Sequence, residues 1–226
     1  LMEVIDGRSA FAVFVDDPVG HRVAIESREL HLDTVGFLVN RGSDPRDEIL
    51  APASDVLREL TYQRQLEMGI IPAGTENTPR PDSIPAWEDY PDEYKPVASR
   101  LMELYAGFLA HTDAQIGRIV EAIKALDQWD NTIFMYIVGD NGASAEGTLH
   151  GVWSCPSYQN GFPEDPQWLL DHIDDFGTAA CENHYNVGWA WSLDAPFQWT
   201  KQVASHFGGT RNAMAVSWPD GIKDAG

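Results

Sequence analysis

The chain has 226 residues, 43% of them hydrophobic, which is enough to build a sizeable core. Its 15 Lys+Arg stand against 35 Asp+Glu, a formal net charge of −20. That balance opposes a nucleic-acid or anionic-membrane surface; it fits a soluble acidic protein whose carboxylates mostly form a solvated surface, and it also fits carboxylates used as cation ligands. No apolar run reaches the length of a membrane span. Two cysteines, Cys155 and Cys181, exclude a disulfide framework and a Cys-x-x-Cys zinc site; they are compatible with one disulfide or with two free thiols. The chain opens on Leu1 and closes on Asp224-Ala225-Gly226, and it reads as a fragment cut at both ends, so the compartment is not legible.

In chain order, Phe11–Val15 is a strand candidate followed by Asp16-Asp17-Pro18, and residues 23–25 and 35–39 are shorter candidates. Ser54 to Met68 reads as a helix, with Ser54 as N-cap, Val56, Leu57 and Leu60 on one face, and Gly69 as the residue that ends it. Six prolines between residues 70 and 96 exclude a helix or central strand there, and Trp87 and Tyr90 are placed to pin this extended connection to the body. Residues 97–126 carry Leu101, Leu104, Tyr105, Phe108, Ile116, Ile119, Val120, Ile123 and Leu126 at three- and four-residue spacing, the pattern of a long amphipathic helix. His111 lies beside that stripe and reads as a hydrogen-bonded structural residue.

The run Ile133–Val138 is apolar throughout and ends at Gly139-Asp140-Asn141-Gly142. Such a run reads as a buried strand of an α/β sheet, and ligands in such sheets sit beyond the carboxyl ends of the strands. Asp140 and Asn141 would stand there with two adjacent side-chain oxygens, a donor set suited to Ca²⁺ or Mg²⁺. Asp-Asn-Gly is also an ordinary turn signal, and that reading stays open on these residues alone. Residues 143–200 are irregular and aromatic, with a short helix near 166–175; the aromatics either wall a pocket or hold the segment on the body. Ala213–Trp218 is a further strand, ended by Pro219-Asp220-Gly221.

Three pieces then resemble the sulfatases, the arylsulfatase branch of the alkaline-phosphatase-like superfamily. They are Val138–Gly147, Asn183–Trp191 leading into Pro196-Phe197, and Thr200–Asn212 with its Lys-x₆-Gly-Gly-Thr-Arg pattern. The resemblance covers roughly residues 62–226, so that residues 1–60 form an uncertain segment and 61–226 the middle or C-terminal part of a sulfatase catalytic domain. It implies an α/β fold: part of an alkaline-phosphatase-like sandwich, with a mixed or parallel sheet flanked by helices and a long irregular aromatic loop. It implies that Asp140 and Asn141 are two ligands of an active-site Ca²⁺. Lys201 would bind a sulfate oxygen and assist the leaving oxygen, with Gly208, Gly209 and Arg211 shaping the turn after it. His184 and His206 are candidate substrate-binding residues with no role carried over from the family. The implied partner is a small-molecule or carbohydrate sulfate ester, not a nucleic acid, and the implied compartment is periplasmic or secreted.

The family's nucleophile is a formylglycine made within a Cys-x-Pro-x-Arg motif, which Cys155-Pro156-Ser157-Tyr158-Gln159 does not match, nor does Cys181. Asp16-Asp17 mimics the family's first carboxylate pair, without the glycine-and-nucleophile segment that should follow. The expected activity is therefore hydrolysis of sulfate esters, with the nucleophile outside this chain and the fragment inactive alone. A zinc phosphatase or phosphodiesterase of the same superfamily is the near alternative, although imidazole rather than the Asn141 amide suits zinc. A non-catalytic carbohydrate-binding module, stacking sugars on the aromatic segment, is the alternative from another class.

Overall fold

The computed structural model describes residues 15–16, 22–23, 54–162 and 164–223. Strands β1 (Val15–Asp16) and β2 (Arg22–Val23) pair antiparallel, with Val15 opposite Val23 and Asp16 opposite Arg22. The remainder of the strand expected over 11–15, the candidate at 35–39 and Asp17 lie outside the described residues.

Helix α1 (Ser54–Glu67) ends as its sequence dictates. Gly69 adopts φ +71°, its N–H donates to Leu66 O at 3.1 Å and the Ile70 N–H donates to Gln65 O at 2.9 Å, which together make a Schellman cap. Its buried face differs from the expectation. Leu57 is buried, but Val56 and Leu60 are exposed, and the deepest side chain is Arg58 at 1% exposure. The cause is its neighbour, α5 (Val187–Leu193), which presents polar groups to α1. The Arg58 guanidinium lies 4.5 Å over the Trp191 ring and donates to the Trp191 and Phe197 carbonyls and to Thr78 Oγ1. Burial lowers the pKa of Arg58 to about 10, which leaves it charged near neutrality.

The proline-rich connection runs outside regular structure, as expected. Trp87 stacks on Tyr90 with ring centroids 5.5 Å apart and packs against Trp189, which anchors the segment on the core. Helix α2 (Lys95–Ala125) has 31 residues and carries Pro96 in its first turn, where the missing N–H costs nothing. The helix serves two cores. Its N-terminal half places Val97, Leu101, Met102 and Ala106 against Leu57, Leu169, Phe176, Tyr185 and Trp189. Its C-terminal half places Val120 against Ala215, with Ile116, Trp129, Phe134 and Tyr136 around them. Phe108, Ile119 and Leu126 of the expected stripe are exposed, and so is His111.

The expectation of a fully buried strand over 132–138 is corrected. Strand β3 (Phe134–Ile137) pairs antiparallel with β4 (Met214–Ser217), Phe134 opposite Ser217 and Ile137 opposite Met214. Among the described residues this sheet has two strands, so a parallel or multi-stranded sheet is not seen. Phe134 and Tyr136 face α2, while Met135 and Ile137 on the other face are 60% and 59% exposed. A strand covered on one side alternates, and here both sides happen to carry apolar residues.

The segment 143–200 contains α3 (Cys155–Gln159), α4 (Pro166–Asp171), a 3₁₀ turn at Ile173–Asp175 and α5. Most of its large aromatics are structural. Trp189 is fully buried and donates its indole N–H to Ala98 O, Phe176 and Trp191 are buried, and Tyr185 packs edge-on against Tyr105. Tyr158, Phe162 and Trp168 are exposed. No described helix is long and apolar enough to cross a membrane.

Candidate active site

The site is built where β3 ends. Val138 donates to Ala213 O and the Asn212 amide donates to Gly139 O, so the ladder runs on just past β3 and releases the chain at Asp140. The Asp140 carboxylate is exposed. The Asn141 amide nitrogen donates to Gly142 O at 2.9 Å, which leaves its carbonyl oxygen for another partner.

Gly142 then crosses Gly208 at a separation no side chain allows. A Cβ on Gly142 would lie 1.6 Å from the Gly208 carbonyl oxygen. The next peptide is held at both ends. The Ala143 N–H donates to both oxygens of Asp194, and the Ala143 carbonyl accepts the Lys201 backbone N–H at 2.9 Å. Burial pushes the Asp194 pKa up to about 7, opposed by the Ala143 N–H and by the charge of Arg58.

Lys201 lies in a tight loop. Its neighbours Trp199 (φ +66°) and Gln202 (φ +79°) are both in the left-handed region that bulky residues rarely occupy. Gly208 N–H to Gln198 O and Gly209 N–H to His206 O close the loop onto the short helix α6 (Phe207–Thr210). The Arg211 guanidinium lies 4.3 Å over the Phe207 ring and 5.5 Å over that of Phe197, which fastens the loop to α5 and its continuation.

The Lys201 ammonium is bonded to Glu146 Oε2 at 2.9 Å, and Ser144 Oγ donates to the same oxygen at 2.8 Å. These bonds, that from Lys201 first, hold the Glu146 carboxyl below the usual range. His184 is near enough for its charge to act on Glu146. Its Nδ1 lies 2.8 Å from Tyr185 O, so that nitrogen carries the proton and donates, and the other ring nitrogen remains an acceptor in the neutral ring. His206 bonds Ser205 at 2.8 Å and meets Trp199 edge-on, within its own loop.

The structure thus brings Lys201, Glu146 and His184 together and ties Lys201 to the loop that bears Asp140 and Asn141. His206 is not brought into contact with that group. Among the described residues, no three of His, Cys, Asp and Glu converge on a point that could hold a metal ion. Asp140 and Asn141 offer oxygen donors of the right chemistry for a hard cation, but two residues are a partial shell where Ca²⁺ takes six to eight oxygens. Cys155 and Cys181 are free thiols. Burial and the charges of Glu146, Glu164 and Glu182 push the Cys155 thiol up, the opposite of what an activated nucleophile needs. Glu146 and Asp194 are not among the sequence-predicted site residues. Glu146 stood inside the Asp-Asn-Gly piece and was visible there; Asp194, amid aromatics, carried no signal.

The class that the fold defines is a mixed α/β protein, with the Lys201 loop bonded to the segment that follows strand β3. The sulfatase family profile matches residues 61–225, and the chain belongs to the sulfatase family. It is 28% identical over 170 residues to an uncharacterised sulfatase of Schizosaccharomyces pombe, covering 75% of this chain and 29% of that protein. It is 26% identical over 188 residues to an arylsulfatase of Klebsiella aerogenes, covering 77% of this chain and 38% of that protein. The chain therefore spans well under half the length of these relatives. No solved structure matches it. The family implies an alkaline-phosphatase-like fold, of which the described residues hold a two-stranded sheet and its helices.

Proposed function

We propose that this chain contributes the cation-binding and sulfate-binding loops of a sulfuric-ester hydrolase of arylsulfatase type. Asp140 and Asn141 would be two of the oxygen ligands of a Ca²⁺ ion, and Lys201 would bind a sulfate oxygen. A divalent cation there would supply charge stabilisation for the sulfate oxygens, and a formylglycine contributed from outside residues 1–226 would supply the nucleophile. Cleavage of the ester moves negative charge onto the sulfate and leaving oxygens. An ammonium whose backbone is already fixed stabilises that charge with little reorganisation.

The observation that carries this reading is the hydrogen bond from Lys201 N–H to Ala143 O. It sets the lysine loop directly against the Asp140–Asn141 loop, although the two lie far apart in sequence. Family membership supports the reaction class, and the Asn141 amide favours an oxygen-loving cation over zinc.

The test is hydrolysis of 4-nitrophenyl sulfate by the complete gene product. Lys201→Ala is expected to lower kcat by about a hundredfold or more. Asp140→Ala and calcium chelation are expected to abolish turnover, with Ca²⁺ restoring it only to the chelated wild type. Full activity in Lys201→Ala, or restoration by Zn²⁺ alone, would overturn the reading.

A further inference from the structure

Glu146 is not an ordinary surface carboxylate. Its Oε2 takes two donors, Lys201 Nζ and Ser144 Oγ, and Gln202 Nε2 lies 3.4 Å from Oε1. Its backbone is fixed by the next residue, Gly147, where a Cβ would lie 1.8 Å from Tyr185 O and 2.8 Å from His184 Nδ1. Yet Lys201 and Glu146 remain 34% and 32% exposed, so an anion from solvent can reach the ammonium. Any anion that does so arrives beside a fixed negative charge.

We propose that Glu146 sets the charge of the ester this site accepts, favouring a monoanionic sulfate ester over a dianionic phosphate monoester. The inference rests on the assignment of Lys201 to the substrate and deepens it. The two esters are close in shape and differ by one charge above neutrality. One extra negative charge about 5 Å from a carboxylate in a half-exposed site weakens binding by roughly tenfold or more. Glu146 thus offsets part of the attraction that Lys201 and a bound cation exert on every anion, and the dianion, with more charge, meets twice the repulsion from the carboxylate. The ion pair also restrains the Lys201 ammonium before substrate arrives.

The experiment compares 4-nitrophenyl sulfate and 4-nitrophenyl phosphate as substrates of the complete gene product, wild type and Glu146→Gln. The amide keeps an oxygen for Lys201 and removes the charge. The ratio of phosphate to sulfate kcat/KM is expected to rise about tenfold in the variant at pH 8, where the phosphate ester is a dianion, and much less at pH 4, where it is largely a monoanion. A merely structural role would lower both substrates together and leave the ratio flat with pH; that result overturns the proposal. A second measurement uses inorganic phosphate as inhibitor: its preference for binding as monoanion over dianion, read from the pH dependence of inhibition, should fall about tenfold from wild type to Glu146→Gln, and an unchanged preference also overturns the proposal. Should Lys201→Ala hydrolyse both esters as wild type does, the substrate assignment itself fails, and the proposal with it.

Discussion

Asp194 accepts the Ala143 N–H with both carboxylate oxygens, at 2.9 and 3.2 Å, across 51 residues of chain. The bond fixes the peptide that Lys201 grips from the other side. Its carboxyl is buried enough to titrate near neutrality, well above its ordinary 3.8, with a folded value of about 7. A raised acid favours the protonated form in the folded state. Its stabilising contribution is complete below about pH 4 and is lost as pH rises through 7. Asp194→Asn keeps an acceptor for Ala143 without the charge. The stability of this variant relative to wild type is expected to increase between pH 4 and 7, by roughly 2–4 kcal/mol, and to level off above that. Asp194→Ala leaves the buried N–H unpaired and is expected to cost about 1–3 kcal/mol at pH 5. Urea unfolding across pH measures both, and a pH-independent difference for Asp194→Asn would refute the buried-acid account.

Arg58 makes the second prediction. Its guanidinium satisfies the Trp191 and Phe197 carbonyls and Thr78 Oγ1 from one buried position. Arg58→Ala is expected to destabilise by about 3–5 kcal/mol, since it empties the space and orphans several acceptors. Arg58→Lys cannot reproduce the planar fork and is expected to recover less than half of that loss. Equal stability of the lysine variant and wild type in urea would show that charge alone, not the fork, matters here.

These two residues also mark the limit of what the sequence made legible. The long helix, the proline-rich connection, the Gly69 cap and strand β4 could be read because each depends on local spacing or on one residue's backbone freedom. Asp140, Asn141 and Lys201 are proposed as site residues because a motif carries them. Arg58 was hidden, because a helix pattern marks a charged residue as exposed unless the partner's carbonyls are known. Asp194 was hidden for the same reason: its meaning lies in a contact across the chain. The burial of β3 was misread because an unbroken apolar run cannot tell one covered face from two.

Gly142 and Gly107 form a matched pair. A methyl at Gly142 would meet the Gly208 carbonyl oxygen at 1.6 Å, whereas one at Gly107, exposed in the middle of α2, meets nothing within 4 Å. Gly142→Ala must therefore part the two loops. It is expected to destabilise by about 2 kcal/mol or more and to break the Lys201–Ala143 bond, seen as faster amide exchange at Lys201. Gly107→Ala removes unfolded-state freedom from a helix interior and is expected to stabilise by about 0.5–1 kcal/mol. Thermal unfolding of both, with exchange at Lys201, checks the contrast.

The two faces of β3 should respond oppositely to substitution. Tyr136 packs in the cluster around Val120 and Ala215, whereas Met135 points away from it and is 60% exposed. Tyr136→Ala removes a large ring from that cluster and is expected to cost about 2–4 kcal/mol. Met135→Thr keeps β propensity on an uncovered face and is expected to change the stability of the 226-residue chain by no more than about 0.5 kcal/mol. The difference follows from side-chain direction alone, since the residues are adjacent in one strand and successive Cβ atoms point to opposite faces. A loss of 2 kcal/mol or more in Met135→Thr, read from urea unfolding, would mean that the outward face is covered in solution and that β3 is buried on both sides.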